Sequence, residues 1–212
     1  WAYKRWTPPL ALRSAAPPVF ADRFVIIGFP GGKLVALAIQ NGAAVWEAPV
    51  ASPKGTTELD RVADIVTVPV IDGRQICAVA FQGRVACFDM GQGGALLWAR
   101  DLSSAAGLAI DNRFVFVTDD RGAVHALDRT SGASLWKQDK LLNRRVSGPA
   151  VQRGAVAVAD GEGIVHFLSR EDGSFVARQK TDGSRVRTPV QAMGPGFLVQ
   201  TTGGSVNLIE AQ

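Results

Sequence analysis

Gly122-Ala123-Val124-His125-Ala126-Leu127-Asp128-Arg129-Thr130-Ser131-Gly132-Ala133-Ser134-Leu135-Trp136 is the run on which the fold turns. A glycine opens an apolar strand, Ser131-Gly132 breaks it, and a second strand follows that carries a tryptophan. The opening recurs as Gly32-Lys33-Leu34-Val35-Ala36-Leu37, Gly83-Arg84-Val85-Ala86-Cys87-Phe88, Gly163-Ile164-Val165-His166-Phe167-Leu168 and Gly204-Ser205-Val206-Asn207-Leu208-Ile209. Successive glycines stand 51, 39, 41 and 41 residues apart, the long step reflecting an insertion at about 51–67. The break and the tryptophan recur as Asn41-Gly42 with Trp46 and Gly93-Gly94 with Trp98, whereas Asp172-Gly173 leads to Ala177. Glycine supplies the positive φ of a tight turn. A ring four residues on can be buried against the neighbouring repeat.

Proline marks a third column: Pro17-Pro18-Val19, Val68-Pro69-Val70, Gly148-Pro149-Ala150 and Thr188-Pro189-Val190. It is tolerated at the first residue of a strand, where no ladder donor is required. Each unit therefore reads as four strands. Runs such as Phe24-Val25-Ile26-Ile27 and Ala155-Val156-Ala157-Val158 are apolar on both faces, as stacked sheets require. Four-stranded units at a period near 40 predict an all-β fold, a β-propeller of antiparallel blades of the PQQ-like or WD40-like kind. A single partial propeller domain is expected over 1–212. Its blades fall at 15–50, 67–102, 105–140 and 146–180, with an incomplete last blade at 186–212. Residues 1–6 read as the outer strand of a preceding blade; closure of a smaller ring by that segment is the alternative.

The net charge is +4, from 23 basic and 19 acidic residues of mixed order, which gives no nucleic-acid surface. No apolar run approaches the roughly 18 residues of a membrane span, and no signal peptide is apparent. Cys77 and Cys87 flank a turn at Gln82-Gly83. Pairing Phe81 with Arg84 puts the thiols on opposite faces and argues against a disulfide; a one-residue shift reverses that. His125 and His166 share a column with Val35, Ala86 and Asn207, and no converging ligands suggest a metal. Asp119-Asp120 and Glu171-Asp172 read as solvated turn carboxylates without the series of a calcium loop. Arg144, Arg145, Arg185 and Arg187 precede innermost strands. There they line the mouth of a channel that favours acidic ligands, or form a solvated rim.

The Gly122–Trp136 pattern resembles the repeat of pyrroloquinoline-quinone (PQQ) propellers. A narrower resemblance rests on Leu10-Ala11-Leu12-Arg13-Ser14-Ala15-Ala16-Pro17, on Gly55-Thr56-Thr57-Glu58-Leu59-Asp60-Arg61-Val62-Ala63-Asp64, on Leu141-Leu142-Asn143-Arg144 and on Glu171 through Lys180. In order and spacing these are similar to the BamB lipoproteins of the outer-membrane β-barrel assembly (BAM) machinery. The resemblance implies an eight-bladed ring, of which this chain carries about five blades. It implies a non-catalytic scaffold with no cofactor, at the periplasmic face of the outer membrane. Attachment would be through an N-terminal lipid that this chain does not carry. It further implies docking on the POTRA domains of the barrel subunit BamA, assistance to the folding and insertion of barrel proteins, and contact with unfolded clients.

The partner-binding residues this implies are Leu10, Leu12, Arg13 and Asp64. A second acidic position of the family is Val66 here, which removes one ion pair. Physical reasoning points the same way. Two leucines beside an arginine make apolar anchors with a charged fork, and Asp64 lies on the longest insertion, where rigid scaffolds carry function. Packing of the leucine pair beneath its own loop is the competing reading. Two other functions stay open at this level: a PQQ-dependent quinoprotein dehydrogenase and a sensor or interaction propeller. The first needs a calcium site, an aspartate base and commonly adjacent cysteines, and this chain has no adjacent pair.

Overall fold

The computed structural model describes residues 1–12, 16–52 and 55–211. Its regular structure is strand throughout, apart from one 3-10 turn at Met90–Gln92. The chain forms two compact units, Trp1–Ala105 and Ala106–Gln212. The first unit holds β1 (Val19–Ala21), β2 (Phe24–Phe29), β3 (Lys33–Ala38) and β4 (Ala44–Pro49) as one sheet. Its second sheet is β5 (Val70–Asp72), β6 (Gln75–Val79), β7 (Arg84–Asp89) and β8 (Ala95–Asp101). The second unit begins with β9 (Gly107–Ile110), β10 (Phe114–Thr118), β11 (Val124–Asp128) and β12 (Ser134–Gln138). Next come β13 (Ala150–Gln152), β14 (Ala155–Ala159), β15 (Ile164–Ser169) and β16 (Phe175–Lys180), then a three-stranded sheet of β17 (Gln191–Met193), β18 (Gly196–Gln200) and β19 (Val206–Ile209). Neighbours in every sheet are consecutive in sequence and antiparallel.

β6, β10 and β14 are buried at every position. In β14 only alanine and valine occur, and small side chains allow both faces to be covered. Sheet-to-sheet cores form inside each unit. Ile26, Leu34 and Ala36 join Ile76, Ala78, Ala86 and Phe88 in the first. In the second, Phe116 and Trp136 meet Val156, Val158 and Leu168, while Phe167 joins Val186, Phe197 and Val199. Each fully buried aliphatic side chain contributes roughly 1.5–3 kcal/mol.

The tryptophan column explains how one sheet grips the next. Trp46 Nε1 donates to the Gly94 carbonyl at 3.2 Å, and Trp136 Nε1 donates to the Arg170 carbonyl at 2.9 Å. A Cβ on Gly94 or Gly173 would overlap those indoles. The glycine thus serves twice, as a residue of positive φ and as the floor beneath a ring. Opposite the rings stand small residues, Ala36 to Trp46, Cys87 to Trp98 and Ala126 to Trp136. In the fourth copy the arrangement inverts: Ala177 lies opposite Phe167, whose ring packs on Phe197 at 5.6 Å. The missing tryptophan is therefore replaced by a ring from the adjacent strand. A ladder irregularity recurs at the same column, at Ala36/Leu37, Cys87/Phe88, Ala126/Leu127 and Phe167/Leu168.

Residues 1–6, expected as an outer strand, have no ladder partner among the described residues. Trp1 nevertheless occupies the tryptophan position. Its Nε1 donates to the Ile39 carbonyl at 2.7 Å and its ring covers Gly42, as Trp136 does over Gly173. Arg5 is fixed alongside by Glu47.

The cysteine expectation is corrected. The Ala80 amide donates to the Arg84 carbonyl, so Phe81, Gln82 and Gly83 all lie in the turn. Phe81 leaves the ladder and its amide donates instead to the Asp64 carbonyl at 2.8 Å. That one-residue change puts Cys77 directly opposite Cys87, and the two form a disulfide.

Candidate docking site

Asp64 organises the loop that carries the predicted anchors. It lies in a stretch outside the strands, Val62 to Val66, buried throughout. Ile65 packs into the space left by Gly28, where any Cβ would overlap it, and Ala16 closes the same spot. The Ile65 amide donates to the Phe29 carbonyl at 3.4 Å. Held through Ile65, the Asp64 carboxylate turns inward and is 1% exposed. Its Oδ2 accepts from the Leu12 amide at 2.7 Å and its Oδ1 from the Gly31 amide at 2.9 Å. Amide bonds to a carboxylate are stronger than neutral ones, and they supply the pairing that a buried charge demands.

This geometry brings three predicted residues into one assembly. Leu12 is tied through its backbone to Asp64, and its side chain is half-buried. Leu10, two residues earlier, is 43% exposed. Pro8 sits over Gly31, which has φ +78°. Arg13 lies outside the described residues. Asp64 is thus a buried clamp rather than an exposed acid, because two amides claim its oxygens. Val66 is buried as an apolar residue. Gly31 was absent from the sequence reading. The signal was the doubled glycine Gly31-Gly32, where the repeat column requires only one. Leu59, on the insertion, is also exposed, at 66%.

The Asp64 carbonyl accepts from Phe81, the Arg144 carbonyl from Gly161 and the Arg185 carbonyl from Thr202. Asp64, Arg144 and Arg185 therefore share one structural column. Of the four predicted arginines, Arg144 is paired with Asp160 at 2.7 Å and Glu162 at 2.8 Å. Arg145, at φ +56°, and Arg187 are exposed. The Arg185 Nε is buried without a partner among the described residues.

The histidine column is a turn anchor. His166 Nε2 lies 2.8 Å from Asp160 Oδ2, while Asp160 Oδ1 accepts from the amides of Glu162 and Ile164. His125 and Asp119 repeat the arrangement at 2.9 Å, with Asp119 accepting from Arg121 and Ala123. Asp119 is accordingly not the solvated carboxylate expected. Burial pushes the His166 imidazole below its ordinary value, against the pull of Asp160. Burial works to raise Asp160, but His166, the Ile164 amide and Arg144 together hold it below the usual carboxylate range. Among the described residues no three His, Cys, Asp or Glu side chains converge as metal ligands do.

The family model described as outer membrane protein assembly factor BamB matches residues 1–138 and again 124–211. The chain belongs to the BamB family. BamB of Bordetella pertussis is 47% identical over 211 residues, covering all of this chain and 55% of that protein. BamB of Burkholderia pseudomallei is 44% identical over 207 residues, covering 97% of this chain and 54% of that protein. The crystal structure of BamB from Moraxella catarrhalis superposes with a TM-score of 0.91 at 29% identity, over 97% of this chain and 61% of that one. The chain thus spans about half the length of the curated relatives it matches. With the BamB likeness, the repeated antiparallel sheets establish the β-propeller fold.

Proposed function

We propose that this chain belongs to a non-catalytic scaffold of the outer-membrane protein assembly complex, docking on the POTRA domains of BamA through the segment Leu10–Arg13. One observation carries the reading: Asp64 grips the Leu12 amide and fixes a loop on which Leu10 stays exposed. Preordering such a loop lowers the entropy cost of binding. Leu10 and Leu12 are the apolar anchors, Arg13 the charged fork and Asp64 the residue that positions them. The BamB likeness supports the partner and the setting, the periplasmic face of the outer membrane, with the full-length protein held by an N-terminal lipid in an eight-bladed ring. Unfolded barrel proteins are the clients that such a scaffold serves.

Calorimetry of this chain and of the full-length protein against isolated BamA POTRA domains tests the reading. Leu12→Ala and Arg13→Glu should each weaken binding by ~30-fold, the loss expected on removing a hot spot, with circular dichroism unchanged. Full-length protein that binds the domains equally well with both substitutions would sink the site. Failure of the full-length parent to bind would sink the partner.

A further inference from the structure

Cys77 and Cys87 lie on β6 and β7, the inner strands of their sheet, with Cα atoms 4.1 Å apart. Counting from the Ala80–Arg84 bond, theirs is a non-hydrogen-bonded pair, the ladder position where facing side chains come closest. Val70 and Trp98 extend the row on either side. Gln75 Nε2 donates to Cys77 Sγ at 3.6 Å. Both cysteines are 0% exposed. Thiol–disulfide exchange requires a thiolate to reach a sulfur, and no path from solvent leads to these. The pairing partners are only ten residues apart in sequence, so a local hairpin suffices to bring them together, and hairpins form in microseconds.

We infer that this chain is a substrate of a dithiol–disulfide oxidant, which acts before β6 and β7 are covered, and that folding then seals the bond. One cysteine thiolate attacks the oxidant's disulfide, forming a mixed disulfide and releasing one oxidant thiolate. The second cysteine thiolate attacks the chain's own sulfur in that mixed disulfide, forming the Cys77–Cys87 bond and releasing the other oxidant thiolate. Two electrons pass to the oxidant, and the two protons lost by the cysteines are taken up by its thiolates or by solvent. The inference stands apart from the docking reading, since neither cysteine belongs to that loop.

Thiol trapping with iodoacetamide and mass measurement tests it on the purified chain. Folded protein in dithiothreitol should lose the disulfide at least ~100-fold more slowly than denatured protein, because reduction waits on opening of the sheet. Chain reduced in denaturant should regain the bond when oxidised glutathione is present during refolding. Given only after refolding under reductant, oxidised glutathione should leave the thiols free. A reduced chain that cannot refold at all would equally place oxidation before closure. Reduction of the folded protein at the denatured rate, equally fast oxidation of the folded dithiol, or free thiols in protein secreted to an oxidising compartment would each overturn the inference.

Discussion

A carboxylate with 1% exposure is costly unless its oxygens are occupied, and Asp64 spends both on the amides of Leu12 and Gly31. Asp64→Asn keeps the shape but turns an NH2 group toward one of those amides. Denaturant unfolding should show a loss of about 1–3 kcal/mol, the cost of leaving a buried donor unmatched. POTRA binding should weaken with it although Asp64 itself stays buried. Gly28→Ala strikes the same clamp from below, since the added methyl overlaps Ile65. It should cost ~1–3 kcal/mol by overpacking, measurable in the same titration. The family resemblance grouped an aspartate with two leucines, but nothing in the sequence said that the aspartate faces inward. Loop acids are usually solvated, and only Gly28, distant in sequence and covered by the adjacent Ile65, reveals the pocket that turns this one.

Strands and their turns were legible because the repeat writes them several times over: glycine, apolar strand, turn, ring. Register was not, because it depends on the number of residues in a turn. Phe81 looked like a strand residue, and only the Asp64 carbonyl, seventeen positions earlier, draws it out of the ladder. The Ala177 anomaly was legible as an anomaly; its cause needed the pairing with Phe167. Ala177→Trp alone should destabilise, since two rings then compete for one space. Adding Phe167→Ala should recover at least ~1 kcal/mol, a coupling within the range found for contacting residues, read from a double-mutant cycle of unfolding midpoints. Trp136→Ala, by contrast, should cost ~3–5 kcal/mol, the range for truncating a large buried ring.

The turn anchor at β14–β15 also sets a pH response. An unfolded His166 takes up a proton near 6.5, whereas in the fold burial delays that uptake to lower pH and Arg178 and Arg144 disfavour it further. The unfolded state then binds more protons, so stability falls as pH drops below about 6.5. Asp160 adds a second loss at more acid pH, because its folded value lies below the ordinary 3.8. Replacing His166 by Asn, the residue its column carries at Asn207, should flatten the first loss and shrink the second, which the Ile164 amide and Arg144 still maintain. Melting temperatures between pH 7 and pH 3 would show two slopes in the parent and only the acid one, made shallower, in the variant.

At the scale of the whole molecule, the outer edge of β19 has no ladder partner among the described residues, and Val206 and Leu208 beside it are 62% and 54% exposed. An apolar strand edge of this kind pairs readily with other chains. Sedimentation of this chain should show association that grows with concentration, and Val206→Lys should suppress it. A monomer at all concentrations would mean that the edge is blunted by other means.

The ring-over-glycine contact runs one way. Trp1 covers Gly42, Trp46 covers Gly94 and Trp136 covers Gly173, always from the earlier segment to the later. During synthesis from the amino terminus, each indole therefore leaves the ribosome some forty residues before the glycine that will shelter it. Each of these three rings waits bare until its glycine arrives, so the chain is stickiest while it is growing.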